Sequence, residues 1–120
     1  MRVRAIRGAT QLDQDSASEM SESVGQLLSQ MLEANKLSKD DLISVILTAT
    51  QDLTSDFPAA AARKIGLGSV PLLCSVEIDV PGALPRVVRV LMHANLDAKL
   101  SEVKHVYLKG ASVLRKDLAK

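Results

Sequence analysis

The chain has little aromatic surface and no excess of one charge. Phe57 and Tyr107 are its only aromatic residues, 2% of 120 residues, and it has no tryptophan. Proteins that bind single-stranded nucleic acid stack the bases on aromatic rings, so this class is disfavoured. Lysine and arginine number 15 against 14 acidic residues, and a net charge of +1 provides no overall field to attract nucleic acid or an anionic membrane. Any anion site must therefore be local.

Cysteine, histidine and long apolar runs are also scarce. Cys74 is the one cysteine, so no internal disulfide can form, and with two histidines it makes a poor supply of zinc ligands. No run approaches the roughly 18 apolar residues of a membrane span, and residues 2–7 carry charges where a signal peptide would be apolar. We expect a soluble, cytoplasmic protein without structural zinc or membrane partner.

The hydrophobic residues that are present, 47% of the chain, are enough to bury one core without cross-links. No internal repeat, low-complexity tract or flexible linker interrupts them. We expect a single domain over residues 1–120.

The first half of the chain predicts a strand, a helix and a second strand. Residues 2–7 alternate, with Arg7 on the face of the smaller apolar residues. Ser16 and Glu19 have the spacing of a capping box, and apolar residues then recur at helical intervals up to Asn35. A short helical turn at residues 38–41 and a β-branched, buried strand over residues 42–50 follow.

The second half predicts one short helix and three strands. Pro58 suits a first helical turn, and an alanine-rich helix follows to Ile65, ending at Gly66. Strands are predicted over residues 71–79, 86–96 and 104–108. This order predicts an α/β or α+β fold with helices on one face of a mixed sheet. The other face then needs a cover, which an oligomer could supply.

Two charged residues interrupt apolar strands. Alternation places Arg89 on the face of Val87 and Leu91, and burying an unpaired charge costs several kcal/mol or more. Arg89 therefore meets a protein carboxylate or an anionic ligand, or else it lies on an exposed edge strand. Glu77, between Val76 and Ile78, is likewise a charge within an apolar stretch, here a negative one. The simplest interpretation is that its strand face is solvated or that it forms an ion pair with Arg89 or Arg7.

The remaining reactive side chains have plain structural interpretations. Cys74 and Glu77 lie three residues apart, which places them on opposite faces unless a bulge or strand end intervenes. A buried thiol is usually a small core residue, and His93 and His105 lack metal-ligand spacing with other ligands. Neither a Ser-His-Asp set nor a glycine-rich phosphate loop is present, so nucleophilic and phosphoryl-transfer chemistry have no signal.

Seven blocks of residues, in order and with nearly constant spacing, resemble the AroH-type monofunctional chorismate mutases. The blocks are Arg4–Thr10, Thr48–Leu53, Phe57–Ala59, Val70–Cys74 with Glu77, Arg86–Val90, His105–Leu108 and Val113–Arg115. The resemblance implies a chorismate-mutase-like pseudo α/β barrel assembled as a homotrimer, with active sites between subunits. It also implies the conversion of chorismate to prephenate on the route to phenylalanine and tyrosine, a pericyclic step that needs no nucleophile, metal or cofactor.

The resemblance assigns a role to each matching residue. Arg89 is expected to stabilise the charge that develops on the ether oxygen, and Arg7 to hold the enolpyruvyl carboxylate. Glu77 and Cys74 correspond to groups that bind the ring hydroxyl, and Tyr107 to one that contacts the side-chain carboxylate. Leu73 is a further expected substrate-binding residue. Phe57 and Arg63 match the mouth of the pocket and are expected to be contributed across the interface, and Leu114 and Arg115 lie on a C-terminal segment that can close over the site.

Three positions depart from the family pattern. Ala60 stands where a basic residue is common, residues 66–69 form a shorter segment than in some relatives, and Lys116 replaces a common proline. Two other functions stay open. The trimeric imine-deaminase proteins share a related fold and a carboxylate-binding arginine, and residues 85–87 faintly resemble their proline-containing stretch. A non-catalytic trimeric module could also keep the anion pocket without turnover.

Overall fold

The computed structural model describes residues 2–115, which form one five-stranded sheet with helices on one side. The regular elements are β1 (Val3–Gln11), α1 (Ala17–Ala34), β2 (Leu42–Ala49), α2 (Pro58–Ala62), β3 (Leu72–Val76), β4 (Val87–Asn95) and β5 (Val106–Tyr107). Short 3-10 turns lie at Lys39–Asp41, Leu100–Glu102 and Lys109–Arg115.

The long helix α1 begins and ends where its sequence signals predict. Ser16 is the N-cap, and its hydroxyl accepts the backbone N–H of Glu19 at 3.2 Å. The carboxylate of Glu19 accepts the N–H groups of Asp13 and Gln14 rather than that of Ser16, so only one half of the expected capping box forms. Asn35 is the C-cap.

The sheet order is β3-β2-β4-β1-β5, with β4 at the centre. Strand β4 pairs antiparallel with both β1 and β2, whereas β3 and β5 join the edges as parallel strands. The interpretation of Arg89 as an edge-strand residue is therefore wrong, because its strand has a neighbour on each side.

One face of the sheet is buried beneath α1 and α2. Its fully buried side chains include Ile6, Leu47 and Met92, which pack in one cluster with Leu28 and Met31 of α1. The opposite face carries Arg7 and Arg89, and neither α1 nor α2 covers it. We refer to this second surface as the open face.

Three predicted elements are shorter than their patterns suggested. Helix α2 ends at Ala62 and the chain continues as a wider turn to Leu67, with Gly66 at φ +97°, a backbone region that favours glycine. Strand β3 ends at Val76 instead of residue 79. Strand β5 covers only Val106–Tyr107, because the side chain of Asn35 binds both the N–H and the C=O of Lys104 and replaces strand pairing there.

Within residues 2–115, no helix combines the length and the apolar character needed to cross a membrane.

Candidate active site

The two arginines of the open face are placed by adjacent central strands. Arg7 of β1 lies opposite Leu91 of β4, and Arg89 of β4 lies opposite Ala9, two residues further along β1. Because side chains alternate along a strand, this register places both guanidinium groups on the same face. The alternation that predicted each side chain's face therefore holds for both strands.

Arg89 is held by the carboxylate of Glu77, which directly follows the end of β3. Its Nε lies 3.5 Å from Oε2 of Glu77, and the hydroxyl of Thr48 donates a hydrogen bond to the same oxygen. The Arg89 side chain is 50% exposed and that of Glu77 is 23% exposed, so the pair lies at the surface of the sheet. Of the two partners considered for Glu77, the structure selects Arg89.

Glu77 reaches this position because it follows the end of β3. Its backbone N–H donates to the carbonyl of Ala49 at 2.9 Å, which continues the β2–β3 pairing one residue past the strand. Thr48, the residue before Ala49, lies directly opposite Arg89 in the register of β2 and β4. No role is predicted for Thr48 from the sequence, because a threonine within a β-branched strand carries no signal of its own.

Tyr107 lies beside Ala9 at the β5 edge of the same face. The two residues form a small buried cluster with Ala111, and Leu114 packs against it. Tyr107, Ala9 and Arg89 lie side by side across the strands β5, β1 and β4. The turn Lys109–Arg115 covers this row at its Tyr107 end. Lys116, one of the three departures from the family pattern, lies outside the described residues.

His105 contacts Arg7 directly, which its sequence context did not reveal. Its Nδ1 accepts the backbone N–H of Arg7 at 2.9 Å. Burial, with the neighbouring positive charges of Arg7 and Arg115, lowers the pKa of His105 below its usual value. The imidazole therefore stays neutral over neutral pH. His93, by contrast, makes a contact with the hydroxyl of Ser44 at 3.2 Å.

Phe57 and Cys74 lie in a second region, away from the open face and on the helix side of the β2–β3 pair. Cys74 pairs with Leu47, whose side chain is buried on the helix side, and its thiol packs against that core. Both residues line a cavity of about 600 Å³, and Phe57 is 69% exposed. Cys74 and Glu77 therefore lie on opposite faces of one chain, the arrangement that strict alternation predicts.

Arg63 lines a different cavity, of about 540 Å³, between α2 and the start of α1. Ala60 and Lys64 line it as well, so a second cation stands near the position where the family pattern often has a basic residue.

Leu73 of β3 lies opposite Ile46 on the open face and is 62% exposed. One chain thus brings Arg7, Glu77, Arg89 and Tyr107 to one face and leaves Phe57, Cys74 and Arg63 away from it.

The chemistry available on the open face is that of an anion site. Two arginines offer planar groups of donors for carboxylates, and a carboxylate and a phenol supply further hydrogen bonds. Within residues 2–115, no group of three or more histidine, cysteine or acidic side chains could hold a metal ion.

Comparison with known proteins agrees with this residue pattern. The sequence matches the family "Chorismate mutase type I" over residues 3–118. It is 50% identical over 117 residues to chorismate mutase AroH of Thermus thermophilus, covering 97% of this chain and 96% of that protein. It is 39% identical over 120 residues to chorismate mutase AroH of Bacillus subtilis, covering 99% of this chain and 94% of that protein.

A solved structure shares the fold as well. The chorismate mutase from Clostridium thermocellum superposes with a TM-score of 0.90 at 49% sequence identity, covering 92% of this chain and 98% of that chain. The family model matches almost the whole sequence, two relatives are 39% or more identical to it, and a solved chorismate mutase superposes closely on its structure, so the chain belongs to the type I chorismate mutase family.

Proposed function

We propose that this chain, an isomerase by its family, rearranges chorismate to prephenate with Arg89 as the principal catalytic group. The reaction is intramolecular, and the breaking C–O bond leaves partial negative charge on the ether oxygen. A fixed cation there binds the transition state more strongly than the substrate, which accelerates the reaction. The observation that carries the proposal is that Glu77 engages Arg89 through Nε, an arrangement that leaves the two terminal nitrogens of the guanidinium to face a ligand.

Arg7 is assigned the binding of the enolpyruvyl carboxylate. Its guanidinium shares the open face with Arg89 and belongs to the neighbouring strand. A planar guanidinium binds a carboxylate through two parallel hydrogen bonds, which fixes the orientation as well as the position of the anion. Arg7 thus binds and positions one end of the substrate.

Glu77, Cys74 and Tyr107 complete the contacts to substrate in this proposal. The Glu77 carboxylate accepts the ring hydroxyl, Cys74 approaches the same hydroxyl, and Tyr107 contacts the side-chain carboxylate. Since Cys74 lies on the face opposite Glu77 within one chain, its contribution requires the cavity edge of one copy to meet the open face of another.

A homotrimer satisfies this requirement. The open face carries Arg7, Arg89 and the exposed apolar side chains of Leu73 and Leu91, a surface suited to a second copy of the chain. We infer that Phe57 and Arg63 of one subunit border the arginines of the next, that Leu73 contacts the substrate, and that the segment with Leu114 and Arg115 closes over the site. We assign the enzyme to the cytoplasm, on the route to phenylalanine and tyrosine.

The decisive experiment follows chorismate by its ultraviolet absorbance with the purified protein and identifies the product. Loss of chorismate with formation of prephenate supports the proposal. Binding of chorismate without product would instead establish the non-catalytic module, and hydrolysis of an imine with no effect on chorismate would establish the imine-deaminase alternative. No observation on the described residues favours either alternative over the mutase.

A further inference from the structure

A hydrogen bond across 98 positions of sequence joins His105 to the strand that carries Arg7. The donor is the backbone N–H of Arg7, on the edge of β1 that faces β5, and the acceptor is Nδ1 of the imidazole at 2.9 Å. In a longer strand a backbone carbonyl would accept this N–H. Here the side chain takes the place of the carbonyl, immediately before the two-residue strand β5 begins.

The bond matters because the pairing between β1 and β5 is so short. Gly8 pairs with Val106 and Ala9 with Tyr107, and the N–H of Leu108 donates to the carbonyl of Ala9 at 2.9 Å. The imidazole extends this contact by one residue in the direction of Arg7. The side of β1 that faces β5 is thus held at Arg7, the residue whose side chain belongs to the site.

The imidazole can serve as the acceptor only while Nδ1 is unprotonated, with the proton on Nε2. The charged groups that act on it are Arg7 of β1 and Arg115 of the C-terminal turn, and both disfavour a second positive charge. Together with burial, they lower the pKa of His105, so the acceptor persists at neutral pH.

The segment before His105 has its own anchor. Asn35 accepts the N–H of Lys104 at 2.8 Å and donates to the Lys104 carbonyl at 2.9 Å. Asn35 is buried, and it also donates to the carbonyl of Met31 within α1. Removal of the imidazole acceptor therefore leaves the segment attached and acts chiefly on the backbone of Arg7.

We propose that His105 is a positioning residue for substrate binding, which holds the backbone of Arg7 so that its guanidinium meets a substrate carboxylate. This inference rests on the binding role proposed above for Arg7. His105 itself touches no reacting atom. Its loss therefore weakens the Michaelis complex more than the chemical step, and the effect depends on an acceptor at the position of Nδ1 rather than on a ring.

Two substitutions separate the acceptor from the bulk of the side chain. His105→Leu removes the acceptor at similar size, whereas His105→Asn places an amide oxygen near the position of Nδ1. We expect the Leu variant to raise KM for chorismate about five- to tenfold at pH 8, the effect of one lost hydrogen bond, with kcat changed less than about twofold. The Asn variant should restore most of the affinity. Unfolding midpoints of both variants show whether the fold is intact.

When Arg7→Ala is measured alongside, the outcomes separate the positioning role of His105 from the binding role of Arg7 on which it rests. If Arg7→Ala leaves KM unchanged, the binding role of Arg7 is wrong. If Arg7→Ala raises KM but His105→Leu and His105→Asn give the same KM, only the positioning role is wrong. Should the Leu variant fail to fold, His105→Gln replaces it, because its amide reaches the position of Nε2 and should not restore affinity.

Discussion

At the scale of single residues, the charge of Arg89 is the feature on which turnover should depend. Arg89→Ala removes a cation from the centre of an interior strand without touching the buried face. By analogy with an oxyanion-hole donor, the loss should be roughly 3 kcal/mol or more of transition-state stabilisation, a factor of about a hundred to a thousand in kcat. Steady-state kinetics with chorismate measure it, and circular dichroism checks that the fold survives.

A neutral isostere provides the matched control for that substitution. Citrulline at position 89 keeps the length and most hydrogen-bond donors of arginine but not its charge, so it should be nearly as damaging as alanine. A citrulline variant with near-normal kcat would contradict the electrostatic role of Arg89.

Glu77 should tolerate loss of its charge better than loss of its oxygens. Glu77→Gln keeps one acceptor oxygen, whereas Glu77→Ala leaves both the substrate hydroxyl and the Arg89 guanidinium without their partner. We therefore expect kcat/KM to fall less in the Gln variant than in the Ala variant. No proton moves in the rearrangement, so a bell-shaped kcat profile near neutrality with a solvent isotope effect on the chemical step would refute this mechanism.

The lowered pKa of His105 predicts how stability depends on pH. The unfolded chain binds a proton at this residue as pH falls through about 6.5, whereas the folded chain binds it only at a lower pH. The free energy of unfolding should therefore decrease as pH falls below 6.5, until the folded-state pKa is reached. Urea unfolding at pH 8 and pH 5.5 measures the decrease, which should be smaller in His105→Asn.

Asp15 contributes in a separate, more acidic range, so the two effects can be told apart. Hydrogen bonds from the Ser55 hydroxyl and the Thr54 backbone lower its pKa below 3.8. Its stabilising contribution is present above that value and is lost as pH falls further. The decrease between pH 8 and pH 5.5 should accordingly be unaffected by Asp15→Asn.

At the scale of elements, the approach of α1 to β1 depends on Gly8. A Cβ at this position would overlap the sulfur of Met31 and lie 3.2 Å from Cδ1 of Leu27. Overpacking of this kind costs about 1 to 3 kcal/mol, because the fully buried Met31 side chain must leave its position or the helix must shift away from the strand. We expect Gly8→Ala to lower the unfolding midpoint, as measured by thermal denaturation.

Gly68→Ala is the control for that change. A Cβ there meets nothing closer than Cγ of Arg63 at 3.9 Å, and Gly68 has φ −63°, which alanine adopts readily. Its midpoint should equal or exceed that of the unmodified protein. Equal losses in the two variants would show that the helix–strand contact does not depend on Gly8.

At the scale of the whole molecule, activity should require contact between subunits. If Arg89 comes from one copy and Arg63 from the next, a mixture of Arg89→Ala and Arg63→Ala chains forms some sites with both residues intact, about one site in four after random exchange. We expect two weakly active proteins to regain activity after joint unfolding and refolding. A stable monomer with full activity in sedimentation would disprove the shared site.

Local patterns were sufficient to predict much of the framework. The Ser16 cap and the helical spacing of apolar residues predicted α1 to within a residue, because capping and amphipathicity act over one or two turns. Strand alternation likewise predicted that Arg89 shares a face with Val87 and Leu91, since the period of a strand is set by its own backbone. The similarity of seven sequence blocks then indicated the family, which the comparisons confirmed.

Only the tertiary structure decided which strands are neighbours, and with that which side chains meet. The central position of β4 excludes an edge location for Arg89, and the end of β3 brings Glu77 to it from 12 positions earlier in the chain. His105 binds the backbone of Arg7 across almost the whole sequence, although its own neighbourhood resembles an ordinary strand. Such pairings depend on long-range strand register, which no local period encodes. The sequence by itself determined the elements and the family, whereas the contacts that orient the arginines depend on how those elements pack.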